Sequence, residues 1–218
     1  MKRPYRMVVF DWDGTLMDSA AAIVEAIQAA SRDLGMEPPD EHRARHVIGL
    51  GLSEALRHAL PGLAEDRYGQ MVDRYRHHYL SRDHELRLFD GVERMIGELA
   101  ASGVVLAIAT GKSRLGLDRA LKVSGLGPVF HSSRCADECF SKPHPQMLHE
   151  LLEEFAVAPG EAVMIGDTTH DLQMAANAGV DSVAVAYGAH PRDALRSMAP
   201  RALVDDVAEL SAWLKNVV

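Results

Sequence analysis

MVVFDWDGTLMDS, residues 7–19, decides how the rest of the chain is read. Its first four residues are continuously apolar and include two β-branched valines, which reads as a short strand buried on both faces. Asp11 and Asp13 come directly after that run, and Asp18 closes in behind them. Like charges crowded at the end of a buried strand repel one another. Either the stretch is a solvated turn, or it holds a cation and does chemistry. A calcium loop is excluded, because the sixth and twelfth positions from Asp11 are Leu16 and Ala22 where that loop needs glycine and glutamate.

The chain of 218 residues is 47% hydrophobic, enough for one large domain or one domain with a substantial insertion. A net charge of −8 argues against a broad nucleic-acid or anionic-membrane surface, since both need a basic face. No apolar run approaches the roughly 18 residues that span a bilayer. The basic start MKR resembles that of a signal peptide, but the apolar stretch stops at Phe10, so a cytoplasmic protein is expected. Cys135 and Cys139, four apart, fit neither a paired zinc motif nor a disulfide framework and read as reduced thiols.

Four further apolar runs, at 104–109, 162–165, 182–186 and, more weakly, 202–204, carry the same signature as residues 7–10. Helical patterns separate them. Residues 92–102 place Val92, Met95, Ile96 and Leu99 on one face and meet Gly103 as a stop; residues 144–155 repeat the pattern with Pro145 in the first turn; residues 172–178 end at Gly179. Strand–helix alternation predicts a doubly wound, Rossmann-like parallel α/β sheet, with ligands beyond the carboxyl ends of the strands. Between 20 and 87 the rhythm breaks into helices alone, at 20–34, 41–47, 53–60 and 64–81. A crossover of that length is expected to form a small α-helical cap domain inserted into a core made of residues 1–19 and 88–218.

The residues suited to chemistry stand at the ends of the apolar runs. The first run ends in Asp11 and Asp13, the second in Thr110-Gly111-Lys112-Ser113, and the third in Gly166-Asp167-Thr168-Thr169-His170-Asp171, while Lys142-Pro143 precedes the helix leading to the third. The parallel-sheet rule brings these ends to one edge. Were Asp11 and Asp13 both extended they would point to one face about 6.6 Å apart, so the strand must curl between them, for which Gly14 is suited. Asp171, four residues after Asp167, lies one helical turn along on the same face. Asp18 and Ser19 are read as caps of the helix that begins at Ala20.

DWDGTLMDS, ATGK at 109–112, SKPHP at 141–145 and GDTTHD at 166–171 together resemble the haloacid dehalogenase superfamily of phosphohydrolases. The likeness covers nearly the whole chain, is nearest to the phosphoglycolate phosphatase-like subgroup with a helical cap, and includes LFDGV at 88–92 as the return from cap to core. The resemblance implies a magnesium-dependent phosphatase in which Asp11 is the nucleophile and forms an aspartyl-phosphate. Asp13 then serves as acid and base, which requires a raised pKa that crowding by other acids can supply. It implies that Mg2+ is held by Asp11, Asp167 and the backbone carbonyl of Asp13, with Asp171 either joining through water or orienting Lys142. Thr110, Lys142 and the amides of Trp12, Asp13 and Gly111 would grip the transferring phosphoryl oxygens.

The resemblance further implies that a cap loop selects the leaving group, and here the loop is HVIGLGLS at 46–53. Arg45, His46 and Arg57 from the cap, with Lys112 and Arg114 from the core, are candidates to read a second anionic group; solvated helix residues are the competing reading. The expected partner is a small phosphorylated metabolite, with no nucleic acid or membrane, for a monomer or homodimer. A phosphoryl mutase and a non-catalytic phosphate-binding module are the alternatives. A phosphonate-cleaving relative is disfavoured by Asp13 and by the absence of lysine between 20 and 87.

Overall fold

The first apolar run forms β1 (Met7–Phe10), and the chain then turns sharply into a two-residue strand, β2 (Met17–Asp18). The computed structural model describes residues 4–218; the basic start MKR, and with it the first three positions of the expected core segment, lie outside the described residues. Four helices come next: α1 (Ala20–Asp33), α2 (Glu41–His46), α3 (Leu52–Ala59) and α4 (Tyr68–Ser81). The chain returns through β3 (Arg87–Leu88), which pairs antiparallel with β2, Met17 opposite Leu88. After it come α5 (Val92–Ser102), β4 (Val105–Thr110), α6 (Arg114–Ser124), β5 (Ser132–Cys135), α7 (Gln146–Glu154), β6 (Ala162–Gly166) and α8 (Thr169–Ala178). The chain ends with β7 (Asp181–Val185), α9 (Arg192–Ser197), β8 (Ala202–Val204) and α10 (Val207–Lys215).

Six of these strands form one parallel sheet in the order β5-β4-β1-β6-β7-β8. It is the doubly wound α/β fold that the apolar runs predict. Continuous apolarity has a direct cause. Val8 and Phe10 enter one apolar cluster with Met95, Ile96 and Leu210, while Met7 and Val9 enter another with Leu148, Leu151 and Met174. Every residue of β1 is therefore buried, whichever face it points to. Burying one such side chain contributes about 1.5–3 kcal/mol, so the strand sits at the centre of the sheet rather than at its edge.

The strand order reverses at β1, which pairs with β4 on one side and β6 on the other. Phe10 is level with both Ile108 and Ile165, so Asp11, Thr110 and Asp167 emerge together at the carboxyl edge. Crevices at such a switch point are where open α/β sheets bind ligands.

The four helices between β2 and β3 pack a third apolar cluster of their own, with Ile27, Ala30, Leu56 and Met71 at its centre. Ala189, from the loop after β7, is buried in the same cluster and joins these helices to the sheet edge. Three local readings need correction. Ser19 stands at the N-cap of α1, but its hydroxyl caps nothing and bonds Asp13 instead. Asp18 is exposed in β2. Pro145 is the N-cap of α7, one position before its first turn. The two-strand ribbon, β5 and α6 are elements that the apolar pattern did not announce.

Candidate active site

The turn after β1 sets the site. Leu16 and Met17 both donate their amides to the carbonyl of Trp12 at 3.0 Å, and Gly14 adopts φ +83°, so the chain curls between the two acids. A Cβ on Gly14 would also run into the Asp167 carboxylate, as would one on Gly188. Backbone thus wraps Asp167 from two sides. Its Oδ1 accepts the Thr15 hydroxyl at 2.8 Å and its Oδ2 the Ala189 amide at 2.7 Å.

Lys142 joins the carboxylates. Its Nζ donates to Asp11 Oδ1 at 2.7 Å and to Asp171 Oδ1 at 2.6 Å. Asp171 Oδ2 takes the amide and hydroxyl of Thr168 at 3.1 and 2.7 Å, completing a capping box at the start of α8. Asp171 thus orients Lys142, one of the two roles expected for it, and it also keeps a carboxylate oxygen close to Asp11 and Asp167. Asp11 Oδ2 is buried with no hydrogen-bond partner.

Asp11, Asp167 and Asp171 each place an oxygen within 4.8 Å of the others. All three, with Lys142, are at most 1% exposed. Burial, with Asp171 and Asp167 adding to it, pushes the Asp11 carboxyl well above its ordinary range despite the Lys142 ammonium. Burial and then Asp171 push Asp167 up to about 7. For Lys142, burial favours loss of the proton, but Asp11 and Asp171 outweigh it and the pKa is raised. The set of hard oxygen donors, crowded, desolvated and one oxygen orphaned, fits a hard divalent cation.

Asp13 stands apart from this crowding, which corrects the expectation that other acids surround it. Its carboxylate accepts Ser19 Oγ at 2.7 Å and Lys112 Nζ at 3.0 and 3.1 Å. Lys112 also donates to the Tyr79 hydroxyl of α4 at 3.0 Å. Burial alone would lower the lysine's pKa, yet Asp13 raises it, so it stays an ammonium. Thr110 is fully buried at the end of β4, and its hydroxyl accepts the Lys112 amide at 3.2 Å. Gly111 lies against the carbonyls of Gly49 and Leu50, leaving no room for a Cβ. The Trp12 indole packs in the core beneath the turn, its Nε1 buried without a partner.

The 46–53 loop lies over the sheet edge. Besides the contact at Gly111, the Gly51 amide donates to Ser141 Oγ at 2.9 Å, and Gly49 packs on Thr168. Of the residues expected to select a leaving group, the structure brings only Lys112 to one of the acids after β1, Asp13. Arg45 pairs with Glu41 on its own helix at 2.9 Å, and the Arg57 guanidinium lies 5.6 Å over the Tyr68 ring. Arg114 bonds Glu138 and Ser133 on the core surface. The His46 ring meets His170 and His190 instead of the carboxylates. Sequence reasoning missed Thr15, Ser19, Ser141, Tyr79 and the Ala189 amide. Thr15 and Ser19 lie inside the quoted turn, but only the fold shows where their hydroxyls point.

Residues 8–185 match the family model described as haloacid dehalogenase-like hydrolase. The chain is 35% identical over 210 residues to the protein of Dickeya dadantii (strain 3937) named "Probable phosphatase IndB", covering 94% of this chain and 91% of that one. It is 28% identical to the phosphoglycolate phosphatase of Vibrio vulnificus (strain CMCP6), covering 94% of each. The crystal structure of a predicted phosphoglycolate phosphatase from Haemophilus somnus 129PT superposes with a TM-score of 0.87 over 96% of this chain and 97% of that chain. At 24% identity, that last likeness speaks for the fold alone. No helix among the described residues is long and apolar enough to cross a membrane.

Proposed function

The chain belongs to the haloacid dehalogenase-like hydrolase family, and we propose that, like the two relatives named phosphatases above, it is a phosphatase, one that depends on magnesium. It hydrolyses a small phosphorylated metabolite through an aspartyl-phosphate on Asp11. The observation that carries this reading is the Asp11 carboxylate itself: buried, gripped on one oxygen by Lys142, without a partner on the other, and with an oxygen within 4.8 Å of one on Asp167.

Asp11 and Asp167, with the Asp13 carbonyl, would hold Mg2+, which when bound neutralises the acids and admits an anionic phosphate. Lys142 keeps Asp11 oriented and offers its charge to the phosphoryl oxygens, and Thr110 with the Trp12 and Gly111 amides adds fixed donors. The Asp11 carboxylate attacks phosphorus as the ester bond breaks, and Asp13 delivers a proton to the departing oxygen. Asp13 then removes a proton from water, which attacks phosphorus, frees Asp11 and releases inorganic phosphate. Before donating, Asp13 must exchange its ion pair with Lys112 for a proton. Because the acids are closed off from solvent, residues 20–87 act as a cap that opens for substrate and closes through the 46–53 loop. Lys112 and Tyr79, reaching the site from opposite sides, suit a substrate with a second anionic or hydroxyl group near the ester. Relatives named phosphoglycolate phosphatase support a small substrate of that kind.

Phosphate release from an aryl phosphate with Mg2+ tests the reading. Wild type should turn over, EDTA should silence it, and Asp11→Asn should be inactive though folded. Near-wild-type activity in Asp11→Asn would remove the nucleophile assignment.

A further inference from the structure

Three imidazoles that the phosphatase reading leaves unused meet at the seam between the helices 20–87 and the sheet. His46 ends α2, His170 lies in the first turn of α8, and His190 comes after β7. One ring nitrogen from each lies within 4.8 Å of the others. The rings of His46 and His190 stack with centroids 5.0 Å apart, and His170 packs on both, at 5.4 and 5.1 Å. Nε2 of His170 and Nε2 of His190 converge on a single atom, the His46 carbonyl oxygen, at 2.7 and 3.1 Å.

We propose that His46, His170 and His190 form a second metal site, for one borderline divalent transition ion of the zinc class, separate from the carboxylates and tying the cap helices to the core. The donor chemistry separates the two sites: imidazole nitrogen suits zinc or copper, whereas magnesium takes oxygen. Three protein ligands leave a fourth position for water. Binding through Nε2 requires both His170 and His190 to move the proton they now share with the His46 carbonyl to Nδ1. His190 Nδ1 accepts the Thr169 amide at 3.1 Å and Nε2–H donates to the carbonyl. Thr169 Oγ1 lies 3.2 Å from the same Nδ1. If the proton moves to Nδ1, the Thr169 amide gives up its bond to the ring, the Thr169 hydroxyl accepts from Nδ1–H in its place, and the Nε2 lone pair is free for a metal, with an outer partner of the kind ligating histidines have. His190 is only 4% exposed, so its ring is already held by its surroundings. Two ligands belong to the core and one to the cap helices. An ion that needs all three binds the closed arrangement better than the open one and shifts the population toward closure; this consequence alone rests on the cap motion proposed above.

The test uses the untagged full chain with magnesium in excess, so that the carboxylates are offered their harder ion. Copper(II) at one equivalent should give an electron paramagnetic resonance spectrum split by more than one imidazole nitrogen. Zinc, titrated against a chromophoric chelator, should bind one-to-one and survive Asp11→Asn. Its affinity should fall by about tenfold or more in Thr169→Val, and further in His46→Gln and in His190→Gln. An oxygen-only copper spectrum, zinc affinity unchanged in the histidine variants, or zinc binding lost in Asp11→Asn would each overturn the proposal. Phosphate release with magnesium alone, measured on the same preparation, reports separately on the phosphatase reading.

Discussion

Lys142→Met removes the one cation placed between two buried carboxylates while nearly keeping its volume. Nζ is 2.7 Å from Asp11 and 2.6 Å from Asp171, and the lysine is fully buried. At an effective dielectric constant of about 20, each pair attracts by roughly 6 kcal/mol before desolvation is counted. Most of that is offset by the desolvation of the ions, and removing one partner of a buried pair costs about 3–5 kcal/mol net. For a chain of this length that corresponds to a fall in Tm of about 6–20 °C. The assay is urea or thermal unfolding in EDTA, with wild type alongside. The pH dependence is set by the acids left behind. Burial raises Asp11 and Asp167 above the ordinary carboxylate value of 3.8, and without Lys142 they hold protons to still higher pH. A raised acid contributes stability that is fully present below its unfolded pKa and is lost as pH rises through its folded pKa. The deficit of Lys142→Met should therefore grow as pH rises through and above about 7, where Asp167 loses its proton in the wild type. A loss under about 1 kcal/mol near neutrality, or a deficit that widens as pH falls, would refute the reasoning.

Gly14→Ala should destabilise by about 1–3 kcal/mol or more, since it forces a Cβ at φ +83° toward the Asp167 carboxylate; unfolding in urea measures it, and a neutral effect would show that the turn relaxes freely. Tyr79→Phe deletes one bond to Lys112 and should cost about 1 kcal/mol of cap closure, visible as a several-fold change in KM with global stability intact. In metal-free protein Asp167, pushed to about 7 by burial and Asp171, makes stability fall as pH rises from 3.8 through about 7. For the same reason a proton competes with Mg2+, and magnesium affinity measured by calorimetry should weaken as pH drops below about 7.

The parallel sheet is legible because its central strands are buried on both faces, and a run such as Met7–Phe10 can then be apolar throughout. β5 reads Ser-Ser-Arg-Cys at the sheet edge, buried only at Cys135, so it carries no such signal. α6 buries only Leu117 and presents little apolar stripe. The acids, Thr110 and Lys142 were legible because each stands at the end of an apolar run or in a loop leading to one. Ser19, Tyr79 and the Ala189 amide were not, because their contacts depend on a turn, a neighbouring helix and a distant loop. Arg45 and Arg57 show the opposite failure: a charge near the right loop in sequence is spent on its own helices in space.

Whether Asp11 carries the phosphoryl group is tested most directly by trapping it. The enzyme is mixed with Mg2+ and a phosphate monoester, quenched in acid within the first turnover, and its peptides are mapped by mass spectrometry. One phosphoryl group should appear on the peptide containing Asp11, labile to hydroxylamine and absent in Asp11→Asn. A phosphoryl group on another residue, or full turnover with no phosphoenzyme at any quench time, would contradict the assignment.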